Sequence, residues 1–124
     1  FLEMQWRDSL QRIGLEVVAG HTEASEDLLV AAKRELQEET GLTAKHWTKL
    51  ATFDVTMNIR AKAHVFAATD LAEGEASLDD DESIALVKMP LAEAIQKIEQ
   101  GEITGAGHAA SLLLFDKMKR EGKV

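Results

Sequence analysis

Apolar and polar positions divide the chain into interleaved strands and helices. Phe1–Arg7 reads as the tail of a strand, and the apolar run Leu15–Ala19, closed by Gly20, as a short buried one. Leu28, Leu29, Ala32 and Leu36 then recur at helical spacing. Ser25 is the expected N-cap of that helix, Glu26 and Asp27 suit the positive end of its dipole, and Gly41 suits a left-handed C-terminal residue. Lys49–Val55 and Ala61–Thr69 alternate or run apolar as strands do, and a polar connection from Asp70 to Glu82 leads to another strand, Ile84–Met89. Pro90 suits the first position of a helix that carries Leu91, Ile95 and Ile98 and is closed by Gly101. A last helix runs from about His108 to Glu121, with Leu112, Phe115 and Met118 on one side. Strands interleaved with helices predict an α/β domain. No internal repeat, low-complexity tract or linker divides it, so residues 1–124 read as one domain.

Composition narrows the function classes. Without cysteine there is no disulfide, thiolate zinc site or cysteine nucleophile. The net charge of −8 offers no basic excess for a nucleic-acid backbone. No apolar run reaches the ~18 residues of a membrane span, and the N-terminus lacks a signal-peptide layout, so a cytoplasmic location is expected. The acidity is concentrated. Residues 20–42 carry a net charge of −4 and residues 70–82 a net charge of −7, whereas the rest of the chain is net basic.

The first helix places its acids oddly. On a wheel of about 100° per residue centred on Glu35, Leu28, Ala32, Leu36 and Leu29 form one stripe between about +20° and +120°. Glu39, near about +40°, falls inside that stripe, and Glu38, near about −60°, lies on its edge. Three carboxylates thus crowd the C-terminal end of the face that should meet the core, where they oppose one another and the helix dipole. Burying them unpaired would cost several kcal/mol each. Two readings follow: a solvated acidic face, or a site for a hard divalent cation that takes oxygen ligands.

The same segment resembles a known family. Gly20, Glu26 and the run Arg34-Glu35-Leu36-Gln37-Glu38-Glu39-Thr40-Gly41-Leu42 match the Nudix box, G-x5-E-x7-R-E-U-x-E-E-x-G-U with U aliphatic, at every constrained position. A chance match has a probability on the order of 10⁻⁸ to 10⁻⁷. Gln5-Trp6-Arg7, Leu15-Glu16 leading into Ala19-Gly20, the acidic loop, the Pro90 helix and Gly-Glu-Ile-Thr at 101–104 resemble the ADP-ribose and nucleotide-sugar pyrophosphatases. The resemblance implies a Nudix fold, a mixed sheet sandwiched between helices (α/β/α). It also implies hydrolysis of the pyrophosphate linkage in a nucleoside diphosphate derivative, with Mg²⁺ or Mn²⁺ as cofactor. Glu35, Glu38, Glu39 and the Ala19 carbonyl would hold metal, with Glu38 also counted among the catalytic groups. Glu26 and Arg34 would be a structural pair, and Gly20 and Gly41 would supply turns. An N-terminal sheet that helps form a homodimer would be represented here by a stub.

The resemblance points outside the box as well. Asp79-Asp80-Asp81-Glu82 reads either as a solvated turn or as the loop that delivers a catalytic base, with Glu82 the first candidate and Asp80 the second. Arg7 reads as a substrate phosphate ligand or a rim salt bridge. The four histidines lack paired metal spacing and read as solvated or structural. Thr56 stands where ADP-ribose enzymes resemble one another in having proline, which implies a broader choice of leaving moiety, and Val18 stands where proline usually precedes Ala-Gly. Two alternatives remain, a nucleoside triphosphate pyrophosphohydrolase and a non-catalytic Nudix module that senses a nucleotide. The intact set of box glutamates favours the enzyme.

Overall fold

The computed structural model describes residues 1–80 and 83–124. Strand β1 (Leu2–Arg7) turns back through Asp8–Gln11 into β2 (Arg12–Glu16), and their antiparallel register sets Glu3 opposite Glu16 and Arg7 opposite Arg12. The expected buried strand at Leu15–Ala19 therefore starts earlier and ends earlier. Pairing with β1 carries it back through the polar Arg12 and Gly14, and past Glu16 the chain leaves the sheet, so that Val17 packs on the core. The other edge of β1 takes β5 (Ile84–Val87), again antiparallel, for a sheet order of β2-β1-β5.

Helix α1 (Leu28–Thr40) follows β2 after an irregular loop. Its N-cap is Asp27, not Ser25. Asp27 is extended (φ −62°, ψ 137°) and its carboxylate accepts from Leu29 N and Val30 N, whereas Ser25 sits at φ 65° too early in the loop to reach them. Gly41 ends the helix in the left-handed conformation expected of it, at φ 73°, and its N–H donates to the Gln37 carbonyl.

β3 (Thr43–Thr56) and β4 (Ile59–Ala72) form a long antiparallel hairpin with two register irregularities. It exceeds the expected segments because cross-strand pairing continues through polar positions such as Thr43 and His46. α2 (Leu91–Glu99) begins with Pro90 at the N-cap, and α3 (Ala106–Arg120) closes the chain.

Leu2, Ala94, Ile103 and Leu112 are buried together between the three-stranded sheet and helices α2 and α3, with Leu15, Val17 and Met89 packed around them. Each large side chain buried there contributes roughly 1.5–3 kcal/mol. α1 lies against β3 and buries Ala31, Leu36 and Thr40. This fixes the acidic end of α1 beside the loop that precedes it.

Candidate active site

The last two turns of α1 and the loop before it form one wall of a cavity of about 370 Å³. Arg34, Glu35, Glu38 and Glu39 supply the helix side, and His21, Thr22 and Glu23 the loop side. Ser77 and Asp79, from the acidic connection after β4, complete the lining. That connection is tied down at two points. Ser77 N donates to the Glu38 carbonyl at 2.7 Å, and Gly41 passes so close to Gly74 that a Cβ on it would lie 2.3 Å from the Gly74 carbonyl oxygen.

Arg34 organises the wall. Its Nε and Nη2 donate to the two oxygens of Glu26 at 2.9 and 3.0 Å, Nη2 also reaches the His21 carbonyl at 3.2 Å, and Nη1 donates to Glu35 at 2.9 Å and Glu38 at 3.1 Å. The guanidinium fork can serve this many acceptors because its donors are fixed in one plane. The Glu26 carboxylate raises the Arg34 pKa, with Glu35 adding to the effect, and Arg34 in turn lowers that of Glu26. The expected Glu26–Arg34 pair therefore joins loop to helix.

Gly20 has a steric role. A Cβ there would stand 2.2 Å from the Glu35 carboxyl carbon, so the Glu35 side chain fills the space that a larger residue would need. Glu35, Glu38 and Glu39 are all half-buried. The structure thus brings the three box glutamates to one cavity, as the helical wheel anticipates.

The remaining expected residues divide. Asp79, rather than Asp80, lines the cavity, and Asp80 is exposed in a turn. Glu82 lies outside the described residues. Arg7 makes a two-pronged pair with Glu16, Nε to Oε2 at 2.6 Å and Nη2 to Oε1 at 2.5 Å. That hydrogen-bonded partner raises the Arg7 pKa, and the charges of Glu3 and Glu39 raise it further, which places Arg7 within electrostatic reach of a cavity glutamate. Thr56 ends β3 at the exposed hairpin tip and is not among the cavity-lining residues. Sequence reasoning missed Ser77 and the loop residues Thr22 and Glu23. Their only signal is proximity in sequence to Gly20 and to the acidic run.

The donor set suits a hard divalent cation: three carboxylates and no sulfur, with a guanidinium already seated against two of them as a cation would be. The side-chain arrangement is not yet a ligand cluster. Among the described residues, no three acidic or histidine side chains stand close enough to hold an ion. The site fits the ion in chemistry and place, and Glu35 and Glu38 would turn from Arg34 to bind it. Among the described residues, no helix is long and apolar enough to cross a membrane.

The NUDIX domain family model matches residues 4–107. The chain belongs to the Nudix family. A Nudix relative, the ADP-ribose pyrophosphatase of Bacillus subtilis (strain 168), is 35% identical over 111 residues, which are 87% of this chain and 60% of that protein. The methanol dehydrogenase activator of Bacillus methanolicus is 35% identical over 102 residues, 80% of this chain and 55% of the relative. The chain thus spans little more than half the length of these relatives. Among solved structures, an ADP compounds hydrolase superposes with a TM-score of 0.84 at 26% identity, covering 99% of this chain and 68% of the other. MutT, studied from Aliivibrio salmonicida and Vibrio cholerae, superposes with a TM-score of 0.60 at 18% identity, over 93% of this chain and 85% of the other. This second likeness carries the fold alone. The α/β Nudix fold implied by the box is the fold observed.

Proposed function

We propose that this domain hydrolyses the pyrophosphate linkage of a nucleoside diphosphate derivative, ADP-ribose or a nucleotide sugar, with Mg²⁺ or Mn²⁺ as cofactor. One observation carries the reading: the three box glutamates share a cavity with Asp79 of the acidic connection. The likeness to an ADP-ribose pyrophosphatase and an ADP compounds hydrolase supports the substrate class. Glu35, Glu38, Glu39 and the Ala19 carbonyl would hold the metal, which when bound neutralises phosphate charge and lowers the pKa of an attacking water.

The residues of the chain do the rest. Arg34 ties the loop at His21–Glu26 to α1. Arg7 would be the cation that meets a substrate phosphate. Asp79, Asp80 and Glu82 are the carboxylates from which the proton acceptor for the attacking water comes. The proposal includes a cytoplasmic homodimer, for which the exposed apolar residues Met4, Trp6 and Ile13 of the β2-β1-β5 sheet offer a contact. The acidic balance of the chain supports a small-molecule ligand over a nucleic acid.

A substrate panel with Mg²⁺, resolved by products, tests the reading. AMP and ribose phosphate from ADP-ribose, or a nucleoside monophosphate and a sugar phosphate from a nucleotide sugar, are expected. Inorganic pyrophosphate from a nucleoside triphosphate as the preferred reaction would replace this reading with the triphosphate one. Binding without turnover of any substrate would replace it with a nucleotide sensor.

A further inference from the structure

Three ionisable side chains from three elements meet beside one another, one of them, Arg7, within electrostatic reach of the cavity residue Glu39, and the box explains none of them. Arg7 of β1 is held by Glu16 of β2, and Glu16 Oε1, the oxygen that accepts from Arg7 Nη2, lies 3.3 Å from Nε2 of His108 in the first turn of α3. Two glycines make room for the assembly. A Cβ on Gly14 would stand 2.6 Å from Glu16 Oε2 and 3.4 Å from Arg7 Cγ, and one on Gly105 would stand 2.4 Å from His108 Cδ2. A side chain at either position would push the group apart.

The His108 ring is oriented at a cost. Its Nδ1 is buried and has no hydrogen-bond partner among the described residues. A buried polar atom left unbonded in a folded chain calls for a reason. Burial lowers the His108 pKa and favours the neutral ring, whose Nε2 stands at 3.3 Å from Glu16 Oε1. The ring therefore gives up one contact to keep the Glu16 carboxylate in place. Glu16 in turn occupies Arg7 Nε and Nη2, while the Nη1 edge of Arg7 carries no hydrogen bond among the described residues. Arg7 is part-exposed, and it feels the charge of Glu39, a cavity residue.

We infer that Glu16 and His108 are positioning residues for substrate binding: they hold the Arg7 guanidinium so that its Nη1 edge faces a phosphate of the nucleoside diphosphate group. The inference rests on the reading of the cavity as a diphosphate site. Neither residue touches substrate, and each acts through Arg7. A guanidinium tied on one edge keeps its other edge pre-organised, so less freedom is lost when a phosphate arrives.

The experiment compares His108→Leu, His108→Gln, Glu16→Gln and Arg7→Met in the whole chain, alone and in pairs with Arg7→Met. Loss of one well-aligned charged hydrogen bond corresponds to a change of about tenfold in binding. His108→Leu and Glu16→Gln are expected to raise KM for ADP-ribose about tenfold and leave kcat within about twofold. His108→Gln, which keeps an N–H donor, should restore KM, and neither His108→Leu nor Glu16→Gln should add to Arg7→Met. A fall in kcat with KM unchanged, or effects that add to those of Arg7→Met, overturns the inference. If His108→Leu does not fold, Glu16→Gln decides by the same criteria.

Calorimetric titration with ADP in Mg²⁺ separates this inference from the proposed activity. Binding weakened about tenfold by Arg7→Met, by Glu16→Gln and by His108→Leu, and regained in His108→Gln, supports the positioning role even if no diphosphate is hydrolysed. Equal ADP binding across the series overturns it even if ADP-ribose is hydrolysed.

Discussion

Replacing Gly20 with alanine separates the stability of the site from its chemistry. The added Cβ at Gly20 would stand 2.2 Å from the Glu35 carboxyl carbon, 2.3 Å from Oε2 and 2.4 Å from Cγ. Ordinary contact begins near 3.4 Å, so the carboxylate must retreat by about 1.2 Å. What gives way is the end of a flexible side chain. The bond from Arg34 to Glu35 at 2.9 Å would loosen, and a part-exposed ion pair adds little to stability. Alanine also restricts the unfolded chain, which returns about 0.4–1 kcal/mol where the backbone accepts it. The two effects are small and opposed, so Tm should move by no more than about 8 °C. Catalysis is less forgiving, because a misplacement of about 1 Å costs on the order of 100-fold. The assay pairs thermal denaturation with AMP release from ADP-ribose in Mg²⁺. A folded Gly20→Ala protein that turns over within about fivefold of the parent would refute the claim that Glu35 is positioned by the space at Gly20.

Gly41→Ala should behave in the opposite way. Both the positive φ of 73° and a 2.3 Å approach to the Gly74 carbonyl oppose a side chain, and backbone cannot swing aside, so denaturant titration should read a loss of about 2–4 kcal/mol. Asp27→Ala removes the acceptor for Leu29 N and Val30 N and should cost about 1 kcal/mol, whereas Ser25→Ala should cost almost nothing; urea midpoints distinguish them. Stability should also fall on acidification. Arg7 holds the Glu16 pKa below its ordinary 4.5 and burial holds that of His108 below 6.5, so both groups bind protons more readily in the unfolded chain. Their contributions are fully present above about pH 6.5; that of His108 is lost first and that of Glu16 only below about pH 4.5. A Tm series from pH 7 to 4 should show this decline, and His108→Gln should flatten its upper part.

The box was legible because its geometry is local. Arg34, Glu35, Glu38 and Glu39 are placed by one helix, so spacing alone brings them to one wall, and Glu26 in the loop before it pairs with Arg34. Gly41 was legible for the same reason. The choice between Ser25 and Asp27 was not, because both are good caps and the decision lies in the loop, where Ser25 takes a left-handed turn. Which aspartate of the acidic run faces the cavity depends on how the Ser77 N–H and Gly74 are anchored to the end of α1, contacts that no periodicity encodes. The Arg7–Glu16–His108 group joins two strands and a helix. Its parts stand 9 and 92 residues apart, beyond the reach of any local pattern.

The position of β1 has a consequence for synthesis. It is the middle strand of its sheet, yet it leaves the ribosome ahead of both neighbours, and the second of them pairs at Leu2↔Val87, 85 residues later. At about 5–20 residues per second, the hairpin, complete at Glu16, waits about 4–14 s for Val87 with one edge open and with Leu2 still lacking the α2 and α3 residues that bury it. An open edge of this kind invites pairing with another chain. Glu3 lies on this strand, at the pair that later faces Leu86, and a charge there discourages such pairing until β5 arrives. Glu3, buried in the finished domain, thus guards the unfinished one.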